Sequence, residues 1–221
     1  MKNIQFDKKA IVIGATGLVG KQLVSLLIAS EAFENITIVV RKLQPQYTEL
    51  KKVQQLILDD FLMLNEEDVN GYTYAFSCLG STLKQAKSKQ NFYNIDYGIN
   101  MHFAELLQNK GVHYLLISAA GASSHGLFFY GRVKGQLEQD IQALNFQKIS
   151  LFRPSLLIGE HQDTRFFEKL AQMVFLRTQN YLPKRYKYKP VTAMQVAKTM
   201  VEAALTQTEN FKIYDNLDIQ H

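Results

Sequence analysis

Two sets of residues in this chain could do chemistry by their type and spacing. The first is the pair Tyr130 and Lys134 in "FYGRVKGQLE". A phenol and an ammonium group four residues apart share one face of a helix. Val133, Leu137 and Ile141 mark the same side. A lysine on a core-facing stripe is costly unless it finds a partner or opens on a cavity. The pair therefore reads as placed, and Ser118 stands twelve residues earlier at the end of an apolar run. The alternative is a tyrosine at a helix end with no chemistry. The second set is "AIVIGATGLVG", Ala10 to Gly20. Gly14, Gly17 and Gly20 lie where an apolar run gives way to helical periodicity. A diphosphate can rest on the free N–H groups of such a helix start if no side chain intervenes. Gly14 then allows the tight turn, Gly17 the close approach and Gly20 close helix–sheet packing. Thr16 offers a hydroxyl, and Leu18 and Val19 begin the helix beneath the phosphates. The pattern is G-x-x-G-x-x-G; a turn needing glycine only for its geometry is the competing reading.

Which dinucleotide such a turn would hold is tested at the end of the second apolar run. An acidic residue there would accept from the ribose 2′-hydroxyl. The chain instead reads "VVRK", and Arg41 and Lys42 suit a 2′-phosphate. We therefore expect NADP(H) rather than NAD(H). Asp60, in "LDDF", reads either as an acceptor for the adenine amino group or as a surface carboxylate, and Leu79 and Gly80 as lining the cofactor's path.

Elements able to position these residues alternate along the chain. Strands are expected at 10–14, 36–40, 54–58, 72–80, 112–118 and 148–154, and a short one at 211–214. Between them run helical stripes: Val19, Leu23, Leu26 and Leu27; Ile95, Ile99, Phe103 and Leu106, stopped by Gly111; and Val133, Leu137, Ile141 and Leu144. Further helices are expected over 165–176 and from Thr192, where Thr192 and Gln195 fit a capping box. Strands apolar throughout and separated by helices imply a parallel sheet covered on both faces. That is an α/β, doubly wound Rossmann fold, whose ligands lie at the carboxyl ends of the strands. We expect one domain over 1–221, with 155–221 a small substrate-side cap integral to it.

The bulk properties narrow the function classes. The chain has 221 residues, 47% of them hydrophobic, and a net charge of +5. One cysteine, Cys78, excludes an internal disulfide and fits a reducing compartment. No run approaches the roughly 20 apolar residues of a membrane span, and the first ten residues have no signal-peptide core. These features lead to an expectation of a cytoplasmic protein acting on a small molecule, without nucleic-acid or membrane partners. The basic run "KRYKYK", Lys184 to Lys189, reads as a solvated loop or a contact to an anionic ligand. The histidines show no ligand spacing, so no metal is expected; His125, between Ser118 and Tyr130, is a candidate for the pocket rim.

The motifs "GATGLVG", "CLGST", "HYLLISAAGASS", "YGRVKGQLE" and "FRPSLLIG" are together similar to the short-chain dehydrogenase/reductase superfamily. They most resemble its atypical branch, the Tat-interacting-protein oxidoreductases and their bacterial relatives. The resemblance covers most of residues 8–160. It implies Tyr130 as the acid/base toward a carbonyl or hydroxyl oxygen, and Lys134 as its electrostatic support and the holder of the nicotinamide ribose. It implies Ser118 as the group orienting the substrate oxygen, with Arg153 and Pro154 near the nicotinamide. Many members carry a helix asparagine that completes a proton relay; here "YNIDYGIN" offers Asp96, with Asn100 one turn later. The leading reading is an NADP-dependent oxidoreductase of reductase type acting on a small carbonyl or alcohol. Two others stand beside it: a non-catalytic NAD(P)-binding redox-sensing module, and a semialdehyde dehydrogenase-like enzyme using Cys78 as nucleophile.

Overall fold

The computed structural model describes residues 8–158 and 189–220. The expected helix over 165–176, His161 and Lys184 to Tyr188 lie outside the described residues. Seven parallel strands form the main sheet. They are β1 (Lys8–Ile13), β2 (Phe33–Val40), β3 (Val53–Ile57), β4 (Tyr74–Ser77), β5 (His113–Ile117), β6 (Lys148–Phe152) and β9 (Phe211–Tyr214). Their order across the sheet is β3-β2-β1-β4-β5-β6-β9. A separate pair, β7 (Leu157–Ile158) and β8 (Val191–Thr192), is also parallel. The expected doubly wound sheet is thus present, with the reversal of strand order between β1 and β4.

Two layers of helices cover it. Successive residues of β1 alternate between them: Ala10 and Val12 join one apolar cluster, Ile11 and Ile13 the other. The first cluster takes Val19, Leu23 and Leu27 from α1 (Leu18–Ala29) and Val196, Met200 and Ala203 from α6 (Ala193–Thr206). The second takes Phe103 and Leu107 from α4 (Asn100–Leu107) and Leu137 and Ile141 from α5 (Phe129–Ala143). Burial of these stripes, not intrinsic propensity, supplies most of the drive for the helices to form. Thr192 and Gln195 make the expected reciprocal capping box at the start of α6. The described part of 155–221 goes into the main architecture: α6 lies against α1, and β9 is the edge strand beside β6.

One helical stripe differs from expectation. The segment before α4 holds two short helices, α2 (Leu83–Ala86) and α3 (Lys89–Tyr93), and then a π-helical stretch over Asn94–Ile99. Each π turn holds an extra residue, so the inward face passes through Phe92, Asp96, Asn100, Phe103 and Leu107. Ile95, Ile99 and Leu106, expected inward, are only partly buried.

At the amino ends of β5 and β6 a polar network is sealed into the sheet edge. Ser150 Oγ donates to Gln207 Oε1 at 2.5 Å, so the hydroxyl accepts from His113 Nε2 at 2.7 Å. Burial, with a smaller contribution from Lys148, pulls the His113 pKa down to about 4. The folded protein therefore favours neutral His113, and unfolding takes up a proton below the ordinary histidine value near 6.5. This stability is present above about pH 6.5 and is lost as the pH falls through 4, by about 3 kcal/mol. Urea unfolding at pH 7.5 and pH 4.5 checks this: His113→Gln is expected to flatten the pH dependence by about that amount. An unchanged slope would remove His113 from the acid response.

Candidate active site

The glycine turn follows β1 and opens α1. Gly14 has φ +75°, and a Cβ placed on it would lie 2.4 Å from the carbonyl carbon of Cys78. A Cβ on Gly20 would lie 2.1 Å from the Gly14 carbonyl oxygen. Both are therefore glycine because the turn packs backbone on backbone. Gly17 is different. Its φ of −74° suits any residue, and a Cβ there would meet only the Gly14 oxygen at 3.2 Å and the Cys78 oxygen at 4.0 Å. Thr16, Gly17 and Leu18 are exposed, while Val19 is buried in the core. No side chain among the described residues caps the start of α1, so its first N–H groups lie uncapped beside the bare Cα of Gly17.

Arg41 and Lys42 directly follow β2, next to this turn in the sheet; both are exposed, and neither forms an ion pair among the described residues. Asp60, beyond β3, commits Oδ1 to the N–H of Leu62 at 3.0 Å. Leu79 and Gly80 follow β4; Leu79 is half-buried and Gly80 exposed.

Lys134 is buried, and its ammonium lies 2.7 Å from Asp96 Oδ1, itself fully buried. The π-helical stretch carries Asp96 to this point. Asp96 Oδ2 accepts from the Ser81 amide at 2.8 Å and its hydroxyl at 2.6 Å. Oδ1 receives no hydrogen bond of good geometry, so the ammonium charge is its compensation. The pair borders the loop after β4: a Cβ on Gly80 would lie 3.3 Å from Asp96 Oδ1 and 3.4 Å from Lys134 Nζ. Asn100 does another job. Its amide donates to the carbonyls of Ile95 at 3.0 Å and Leu79 at 3.4 Å, and it accepts from Ser77 Oγ. Asn100 ties down the strand end, and Asp96 is the residue that meets the lysine.

Tyr130 stands one helical turn before Lys134, partly exposed, its ring 5.4 Å from that of Phe92. Burial raises its pKa, Lys134 lowers it, Asp96 raises it again, and the net direction is up. Ser118 is buried beyond β5, and its Oγ has no hydrogen-bond partner among the described residues. The loop after it is fastened to α5. A Cβ on Gly135 would lie 2.2 Å from the Ser123 carbonyl carbon, and the Ser123 amide donates to the Gly131 carbonyl at 3.0 Å. His125, exposed on this loop, meets Ser124 Oγ at 3.1 Å through Nδ1.

The Arg153 guanidinium is taken up by α5: Nε donates to Glu138 Oε1 at 3.0 Å, and Nη2 donates to Oε2. Glu138 is one turn beyond Lys134, so Arg153 pins α5 to the end of β6. The adjoining Pro154 is buried, and its carbonyl accepts from the Ala120 amide at 2.8 Å. Cys78 packs against the core cluster beneath α1, and burial pushes its thiol pKa up. A thiol held protonated there is a poor nucleophile, which counts against the semialdehyde dehydrogenase reading.

The parallel sheet, the glycine turn and the tyrosine–lysine helix define a Rossmann-fold protein of atypical short-chain dehydrogenase/reductase type. The family model described as HIM1 matches residues 38–192, and the chain belongs to the HIM1 family. It is 34% identical over 198 residues to protein FMP52-1, mitochondrial, of Scheffersomyces stipitis, covering 88% of this chain and 87% of that one. It is 32% identical over 173 residues to protein HTATIP2 of Rattus norvegicus, covering 76% and 72%. The latter bears out the likeness to the Tat-interacting-protein branch. Among solved structures, the UDP-glucuronic acid 4-epimerase of Bacillus cereus, in complex with UDP-glucuronic acid and NAD, shares the fold. Its TM-score is 0.69 at 16% identity, over 94% of this chain and 77% of that one. A short chain dehydrogenase family protein of Francisella tularensis gives 0.63 at 13% identity, over 97% and 100%. The FMP52 relatives carry a mitochondrial location in their names, and this overturns the cytoplasmic expectation. One unpaired cysteine marks a compartment that keeps thiols reduced and does not choose among such compartments.

Proposed function

We propose that this chain is an NADP(H)-dependent oxidoreductase of reductase type acting on a small carbonyl or alcohol. The observation that carries the reading is Gly17. Its φ of −74° is open to any residue, a Cβ there would press only on the Gly14 oxygen, at 3.2 Å, and it lies bare beside helix-start amides that no side chain among the described residues caps. A diphosphate laid on those amides accounts for it. Arg41 and Lys42, beyond β2 and in no ion pair among the described residues, support a 2′-phosphate on the adjoining ribose. The NAD held by the Bacillus cereus epimerase supports a nicotinamide dinucleotide in this fold.

Bound there, such a dinucleotide supplies or takes up a hydride at the carboxyl edge of the sheet. The chain's own residues handle the oxygen. Tyr130 gives a proton to a carbonyl oxygen, or takes one from an alcohol. Ser118, buried with an unused hydroxyl, donates to the same oxygen and orients it. Lys134 is held by Asp96 one turn from Tyr130, where it serves the ribose hydroxyls. Asp60 keeps Oδ2 for the adenine side.

Titration with NADPH and NADH, followed by turnover against a panel of aldehydes and ketones, tests this reading. NADPH is expected to bind more tightly, with Arg41→Ala removing the preference; tighter NADH binding would overturn the 2′-phosphate assignment. Tyr130→Phe is expected to lower kcat about 100-fold or more with NADPH affinity retained. Equal turnover in that variant takes Tyr130 out of its role. The redox-sensing alternative gains only if the dinucleotide binds and no carbonyl is ever reduced.

A further inference from the structure

We infer that Asp96 is a positioning residue that holds Tyr130 as a proton donor, by cancelling the Lys134 charge that would otherwise draw the proton off. This rests on Tyr130 being the acid proposed above. An isolated ammonium one helical turn from a phenol favours the phenolate. Here the ammonium has a fully buried carboxylate 2.7 Å away. The phenol therefore feels a compact ion pair whose field falls off faster than that of a single charge. The carboxylate is fixed: Ser81 gives it two hydrogen bonds, and the π-helical stretch turns it inward from its helix.

Among the described residues, no other charge takes over the role of Lys134. On α5, Glu138 is occupied by Arg153, and Arg132 donates to the carbonyls of Gly126 and Leu127. Asp140 accepts from the Tyr97 hydroxyl. On α3, Lys89 lies over the ring of Phe129, 5.5 Å from its centroid. On the loop before α5, exposed His125 meets Ser124. Among the described residues, Lys134 and Asp96 are thus the charges that act on the phenol, and they oppose each other. The protonated form is the one that carbonyl reduction consumes. In the reverse direction, alcohol oxidation, a base is needed, and a pair that keeps the proton on Tyr130 disfavours it near neutral pH.

Tyrosine labelled with carbon-13 at Cζ reports this titration without any substrate. The Tyr130 signal is identified by its loss in Tyr130→Phe, in the protein alone and with NADPH. Asp96→Asn, which keeps an acceptor for Ser81, is expected to raise the proton dissociation constant of Tyr130 about 10- to 100-fold. Asp96→Glu, which keeps the charge, is expected to restore the original titration. An unchanged Tyr130 titration in Asp96→Asn overturns the inference. If that variant does not fold, the unaltered protein decides: Tyr130 titrating below the ordinary tyrosine value near 10 is the overturning result. Absence of turnover with every carbonyl would count against the oxidoreductase reading and leave this titration where it is.

Discussion

Gly17→Val is expected to fold and to lose the dinucleotide. The substitution gives up a good N-cap residue for a poor one, which costs about 1 kcal/mol, and the only close neighbour of its Cβ is the Gly14 oxygen at 3.2 Å. The branched side chain then stands over the amides at the start of α1. Loss of two hydrogen bonds to a charged phosphate, each about 1.5 kcal/mol, is roughly a 100-fold rise in Kd for NADPH. Gly20→Ala provides the contrast. Its methyl group would sit 2.1 Å from a backbone oxygen, so the turn itself must move, at about 3 kcal/mol in stability. Urea unfolding and NADPH titration separate the two: Gly17→Val is expected to be stable and non-binding, Gly20→Ala destabilised. A Gly17→Val protein that binds NADPH normally would mean that no phosphate lies at this turn.

Lys134→Met is expected to be the most destabilising single change at the site, by about 3–5 kcal/mol, because it strands a buried carboxylate. Asp96 is fully buried, and among the described residues its Oδ1 has no other compensation. Adding Asp96→Asn to Lys134→Met removes the stranded charge while leaving an acceptor for Ser81, and is expected to recover most of that loss. A buried pair is weak evidence of net stabilisation, so the double variant folding nearly as well as the unaltered chain is the informative result. Denaturant midpoints of the four proteins give the coupling directly. If Lys134→Met alone is as stable as the unaltered chain, Asp96 is not a charge that depends on this lysine.

The sheet was legible from sequence because its central strands are largely apolar and its helices carry clean stripes, as at Val19, Leu23 and Leu27. The glycine turn was legible for the same reason: it sits at a switch between two periodicities. The structure refined its meaning, since Gly14 and Gly20 answer to packing and only Gly17 is left for a ligand. Three things were out of reach. The choice between Asp96 and Asn100 depends on a π-helical offset that a 3.6-residue period cannot register. The Arg153–Glu138 clamp joins residues fifteen apart on different elements, and neither type marks the other. The His113 network runs through Ser150 and Gln207, which look unremarkable alone and acquire their roles only when β5, β6 and the end of α6 are side by side.

That network and the phenol stand at opposite ends of the same strands. His113 opens β5 and Ser118 follows its last residue, a separation of about 16 Å along an extended chain. For the oxidoreductase proposed above, the expected pH–rate profile has two limbs with separate owners. Its acid side is expected to follow the His113 network and the scaffold, its alkaline side the phenol, so that a substitution shifting one limb leaves the other in place.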